Sequence, residues 1–103
     1  MNRKLSVLER YSDINEVNRR AHNLGLNEVH PSSQAKKKYM IFDGHKMIHF
    51  GQIGYSDATK HHDEKRIKSF RSRNRRWETA PRYSPAWLSW NLLWWIILLN
   101  TKI

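Results

Sequence analysis

The chain has 103 residues, with 19 Lys and Arg against 9 Asp and Glu, six His, five Trp and no Cys. That length gives one domain, which buries roughly 60–65% of the surface its unfolded chain exposes, so a partner would add usefully to its stability. Without cysteine there is no disulfide, thiolate zinc site, iron-sulfur centre or thiol nucleophile. A formal charge of +10 draws phosphate, acidic protein or anionic lipid. Residues 1–10 mix charged and apolar side chains, unlike a secretory leader, so secretion is not expected.

In chain order, Ser12 suits a helix N-cap, and Asp13 and Glu16 put negative charge in the first turn. Ile14, Val17, Ala21 and Leu24 then recur at helical spacing, and Gly25 with Leu26 forms a Schellman-type stop. This predicts an amphipathic helix with Arg19 and Arg20 on its outer face. Residues 27–38 read as a loop, punctuated by His30-Pro31-Ser32-Ser33 and closed by Lys36-Lys37-Lys38. Apolar runs at 39–42 and 45–50 flank Asp43-Gly44, the signature of a β-hairpin. Two strands alone are marginal in water, so the hairpin must lay a face on another element.

Gly51, Gly54 and Ser56 make a second loop, with Tyr55 expected to turn inward and Asp57 or Thr59 able to cap the next helix. Residues 61–77 lack Gly and Pro, carry Asp63 and Glu64 early and bases late, and read as a helix. Its apolar stripe is narrow, Ile67 and Phe70 with Trp77; the rest is basic, including Lys65, Arg66, Lys68, Arg71, Arg73, Arg75 and Arg76. Ser84-Pro85 pairs an N-cap with proline at the first helical position. From 86 to 99 only Ser89 and Asn91 are not apolar. As a helix this run spans ~21 Å, short of a ~30 Å hydrocarbon core, and its second half, from Trp94, fits a strand equally well. The expected fold is a small single α+β domain: N-terminal helix, hairpin, basic helix and a Trp-rich apolar C-terminal helix or strand. It divides into an N-terminal segment (1–26), a central region (27–94) and an apolar tail (95–103).

Two groups of residues stand out as binding candidates. Arg66, Arg71, Arg73, Arg75 and Arg76 suit phosphates or carboxylates, although no zinc-finger, GxxG or aromatic RNA-reading signature accompanies them. Trp87, Trp90, Trp94 and Trp95 suit an interface, and the first three lie on one helical face. His45, His49, His61, His62, Asp57 and Asp63 have the donor types of a metal-dependent nuclease, but no His-Glu-x-x-His pair is present. No nucleophile elbow, phosphate-cradling glycine loop or well-placed carboxylate pair is visible. No catalytic residue, metal site or cofactor is expected.

Lys37-Lys38-Tyr39-Met40-Ile41, His49-Phe50-Gly51-Gln52 and the run from Gly54-Tyr55-Ser56-Asp57 to Asp63-Glu64-Lys65-Arg66 form an ordered pattern. It continues through Arg73-Asn74-Arg75-Arg76-Trp77 and Tyr83-Ser84-Pro85-Ala86-Trp87-Leu88-Ser89-Trp90. Over roughly 24–94 the pattern resembles a family of small uncharacterised proteins, a domain of unknown function, of nucleocytoplasmic large DNA viruses. The chain departs from it at Ala58, where an aromatic is usual, and in its more apolar tail. The resemblance implies a virion component rather than an enzyme: a minor capsid protein adhering to major or minor capsid neighbours, with inner membrane as a further contact. The alternative it implies is a nucleic-acid-binding or DNA-packaging protein of such a virus.

Overall fold

The computed structural model describes residues 3–95, which form an α+β domain around a three-stranded antiparallel sheet. Helix α1 (Arg3–Leu8) leads into α2 (Ile14–Asn23), followed by strands β1 (Val29–Pro31), β2 (Lys37–Phe42) and β3 (Met47–Gln52). A short α3 (Ala58–His61) precedes the basic α4 (Glu64–Arg73) and a 3-10 segment (Arg75–Thr79). The C-terminal helix begins as α5 (Pro85–Leu88) and runs on through a π-helical turn, Ser89–Leu93.

The hairpin is present, with Tyr39 opposite Phe50 and Ile41 opposite Ile48. Its strands are joined through Asp43-Gly44-His45-Lys46 rather than by a two-residue turn. Asp43 Oδ1 accepts the backbone N–H groups of His45 and Lys46, and Asp43 N donates to the Lys46 carbonyl, which closes the turn around the carboxylate. The segment expected as a loop instead contributes β1, paired to β2 with Val29 opposite Ile41. Three residues ending in proline carry too little alternation to announce a strand. The free edge of β1 is covered by Asn18 of α2, whose side-chain amide both donates to the Val29 carbonyl and accepts its N–H.

Helix α2 stops as expected: Gly25 has φ +76° and Leu26 N donates to the Ala21 carbonyl. Its N-cap is Asp13 and not Ser12, because Ser12 is buried and its hydroxyl is engaged in the core. Arg20 is buried as well, held by Glu16 at 2.9 Å, while Arg19 is less enclosed, its side chain 64% exposed. α1 lay hidden in the sequence because six residues without an acidic first turn give no helix signal. The helix expected over 61–77 is shorter, because His62 takes a left-handed conformation (φ 52°) and Asp63 then caps α4; Asn74 ends it. Tyr55 is 67% exposed and not tucked in. Ser84 caps α5 by accepting the Trp87 N–H, as Ser84-Pro85 implies. Within the run expected as a helix over 86–99, helical structure reaches Leu93 with Trp94 as its C-cap. Of the segment 94–99, for which a strand is the alternative, Trp94 and Trp95 are not in a strand, and 96–99, like the rest of the apolar tail to 103, lie outside the described residues.

The core gathers Leu8, Val17 and Ala21 from the N-terminal helices, Val29, Tyr39, Ile41 and Phe50 from the sheet, and Leu88, Leu92 and Leu93 from the C-terminal helix. Residues 3–26 therefore belong to the same core as the sheet. Beside it runs a polar chain. Lys38 Nζ donates to Asp57 Oδ2 at 2.8 Å, with the two side chains 3% and 0% exposed. The other Asp57 oxygen accepts both the N–H and the hydroxyl of Thr59. With its proton so used, Thr59 Oγ1 must accept from Ser12, which in turn accepts from Tyr39 at 2.6 Å. Burial pulls the Lys38 pKa below the usual lysine value despite Asp57, and burial raises that of the Tyr39 phenol.

Removing one member of this pair leaves the other buried without a counter-charge. Asp57→Ala should cost about 3–5 kcal/mol in urea unfolding, and pairing it with Lys38→Met should recover part of that loss.

Candidate functional site

A cavity of about 820 Å³ opens between the ends of β2 and β3, the face of α4 and the C-terminal helix. Helical spacing makes one wall: Arg66, Ser69, Phe70 and Arg73 fall on one side of α4 and all line it. Trp77 of the 3-10 segment and Trp94 at the end of the C-terminal helix flank Phe70. The Trp94 ring stacks on Phe70 at 4.0 Å and 7°, and Trp77 meets Phe70 edge-on at 5.5 Å. Leu93, Ala86 and Pro85 complete the apolar floor, while Lys37, Gln52, Tyr55, Ser56 and Ser89 add polar groups at the margin. No Asp or Glu is among the lining residues.

Close approach of β3 to the C-terminal helix sets the depth of this cavity. Gly51 has φ +80°, and a Cβ there would stand 2.9 Å from Leu93 Cδ1 and 3.1 Å from Lys38 Cβ. Gly51→Ala should therefore cost about 1–3 kcal/mol of stability by chemical denaturation, from the left-handed backbone and the displaced neighbours together.

The five arginines singled out in the sequence separate into two roles. Arg66, Arg73, Arg75 and Arg76 are exposed, and among the described residues none has an acidic partner. Arg73 donates to Ser69 Oγ at 2.8 Å, which holds its guanidinium at the cavity margin. Arg71 is half-buried and committed inside the fold. It donates to the carbonyls of Trp90 (3.4 Å) and Trp94 (2.9 Å), and its guanidinium lies 3.9 Å from the Trp90 ring centroid. Together with Arg20, which donates to the Leu92 carbonyl at 3.2 Å, it satisfies carbonyls at the end of the C-terminal helix.

The tryptophans divide in the same way. Trp90 is 5% exposed, sealed beneath Arg71. Trp94 is half-buried against Phe70, and Trp87 half-buried beside Arg82, whose guanidinium is 5.2 Å from the ring. Trp95 is 37% exposed next to Arg20. Sequence reasoning did not single out Ser69, Phe70 and Trp77 as site residues, although their spacing from Arg66 and Arg73 was there to read.

The histidine and aspartate group is scattered: Asp57 is bound to Lys38, His49 pairs with Ser32 at 2.7 Å, and His61 packs on Trp94 at 5.5 Å. Among the described residues no three His, Asp or Glu side chains are placed to share a metal ion. None of their helices is long and apolar enough to cross a membrane. Residues 27–74 match the model of a family of unknown function, DUF5754. No curated protein and no solved structure matches the chain. The matched stretch holds the sheet, α3 and α4, and thus Arg66, Phe70 and Arg73, but stops short of Trp77 and the C-terminal helix.

His61 supports the back of the aromatic cluster and is sensitive to acid. Its Nδ1 accepts the Asp63 N–H at 2.8 Å, so the ring is neutral with the proton on Nε2, a buried atom without a partner. Desolvation, and then the positive charge of Arg66, lower its pKa from the usual 6.5. The folded state thus resists protonation: stability is full above the unfolded value and falls as the pH drops beneath it, where the unfolded chain binds the proton first. The His61 ring resonance should titrate below its unfolded midpoint, and His61→Asn should lessen the loss of Tm between about pH 7.5 and 5.5.

Proposed function

We propose that this protein is a non-enzymatic binder of nucleic acid, acting as a structural or packaging component of a large DNA virus particle. The observation that carries the binding reading is the cavity margin. Exposed guanidinium groups at Arg66 and Arg73, without acidic partners among the described residues, stand over an aromatic floor, with Arg75 and Arg76 extending the same charge along the 3-10 segment. Phosphates are drawn to such groups, and aromatic rings beside them suit bases. The viral setting rests on the resemblance over 24–94 and on nothing in the geometry.

A second reading, adhesion to an acidic capsid neighbour, is favoured by a different observation. Trp95 is exposed over the buried Arg20, and the exposed Arg82 lies beside the half-buried Trp87; aromatic and arginine side chains at a surface often anchor protein interfaces. Fluorescence anisotropy with labelled DNA at several salt concentrations separates the two. Nucleic-acid binding should weaken by decades between about 50 and 200 mM salt if about six or more phosphates are engaged. Arg75→Ala with Arg76→Ala should flatten the logarithmic salt slope by about one for each phosphate that the variant no longer neutralises. Absence of DNA binding at low salt, with capture of an acidic particle protein, would support adhesion instead.

A further inference from the structure

We infer that the cavity beside α4 receives an unpaired base of a single-stranded nucleic acid, with the adjoining phosphates held at Arg66, Arg73 and Lys37. This deepens the nucleic-acid reading and rests on it. At about 820 Å³ the cavity is of the size that takes small molecules, typically ~300–1,000 Å³. Its lining falls into two parts, each with its own demand. The floor, Phe70 with Trp77 and Trp94, is aromatic: Phe70 and Trp94 cover one face of each other, and a base, which has a π-face of its own, would stack on a face that this pair leaves open or on Trp77. The margin is cationic: Arg66 and Arg73 lie about two turns apart along α4, and Lys37 adds a third cation from β2.

Those cationic groups are available. Arg73 is oriented by Ser69 and not by a carboxylate, and Arg66 and Lys37 have no acidic partner among the described residues. Lys38, by contrast, is taken up by Asp57. A neutral apolar ligand would leave these cations unused, and an acidic peptide would leave the aromatic floor without a flat partner. In a duplex the bases are paired and stacked and their faces are covered, so only an unpaired nucleotide presents a ring and a phosphate together.

The test compares a labelled oligothymidylate with a duplex of equal length, on the full chain, by anisotropy at fixed salt. The single strand should bind at least roughly tenfold more tightly, the scale of one stacked base. Trp77→Ala should lower single-strand affinity by about tenfold and so remove that preference. Because Trp77 also packs on Phe70, photocrosslinking of an iodouracil oligonucleotide to the unaltered protein gives a second readout, expected at Phe70, Trp77 or Trp94. Equal affinity for single strand and duplex, or crosslinks confined to other residues, would overturn the base site while leaving nucleic-acid binding intact. Failure of both probes to bind at low salt would overturn both.

Discussion

The contact between Lys38 and Asp57 is the constraint on which the remaining architecture depends. It ties the middle of the sheet to the loop that leads into α3, and its hydroxyl extension through Thr59 and Ser12 to Tyr39 reaches the junction of the N-terminal helices. A domain of this size has few apolar residues with which to hold its helices and strands together. A buried charge pair contributes little net free energy against desolvation, but it penalises every arrangement in which either partner lacks the other. Here every member of the chain finds a partner, and each hydroxyl proton has one direction to point. The register of β2 and the placement of α3 are thereby specified together.

Two further arginines do comparable work at the C-terminal helix. Arg20 and Arg71 reach in from α2 and α4 to the carbonyls of the C-terminal helix, and Arg71 also covers the Trp90 ring. A strongly cationic composition is therefore not the same thing as a strongly cationic surface. Among the cations that stay exposed are those that helical geometry turns away from the core, including Arg66 and Arg73 on one side of α4, together with Arg75 and Arg76 beyond its end. The same sorting applies to the indoles, with Trp90 consumed by the fold and Trp95 still at the surface.

Much of this organisation was legible in the sequence where a local rule decides it. Gly25, Asp43-Gly44 and Ser84-Pro85 each carry backbone instructions that tertiary contacts did not override, and the α+β class came from them. The remainder was decided by distant partners. Ser12 looks like a cap until Tyr39 and Thr59 claim its hydroxyl, which leaves Asp13 to take the position. Arg20 looks like a surface residue until Glu16 and the Leu92 carbonyl bury it. β1 is too short for alternation to register, and it exists because β2 and Asn18 supply its hydrogen bonds from either side. The cavity was partly readable, through the spacing of Arg66, Ser69, Phe70 and Arg73, but its far wall required knowing that Gly51 lets β3 approach Leu93.

That far wall also divides the cavity along the chain. The stretch that matches DUF5754 ends at residue 74, so it brings the cationic margin and Phe70, whereas Trp77, Ala86, Leu93 and Trp94 come from the residues beyond it. A protein sharing only the matched stretch would inherit a charged half-shell and would have to furnish its own platform. Under the proposed base site, the choice of ligand would then be written in the sequence downstream of α4, at Trp77 and Trp94 above all.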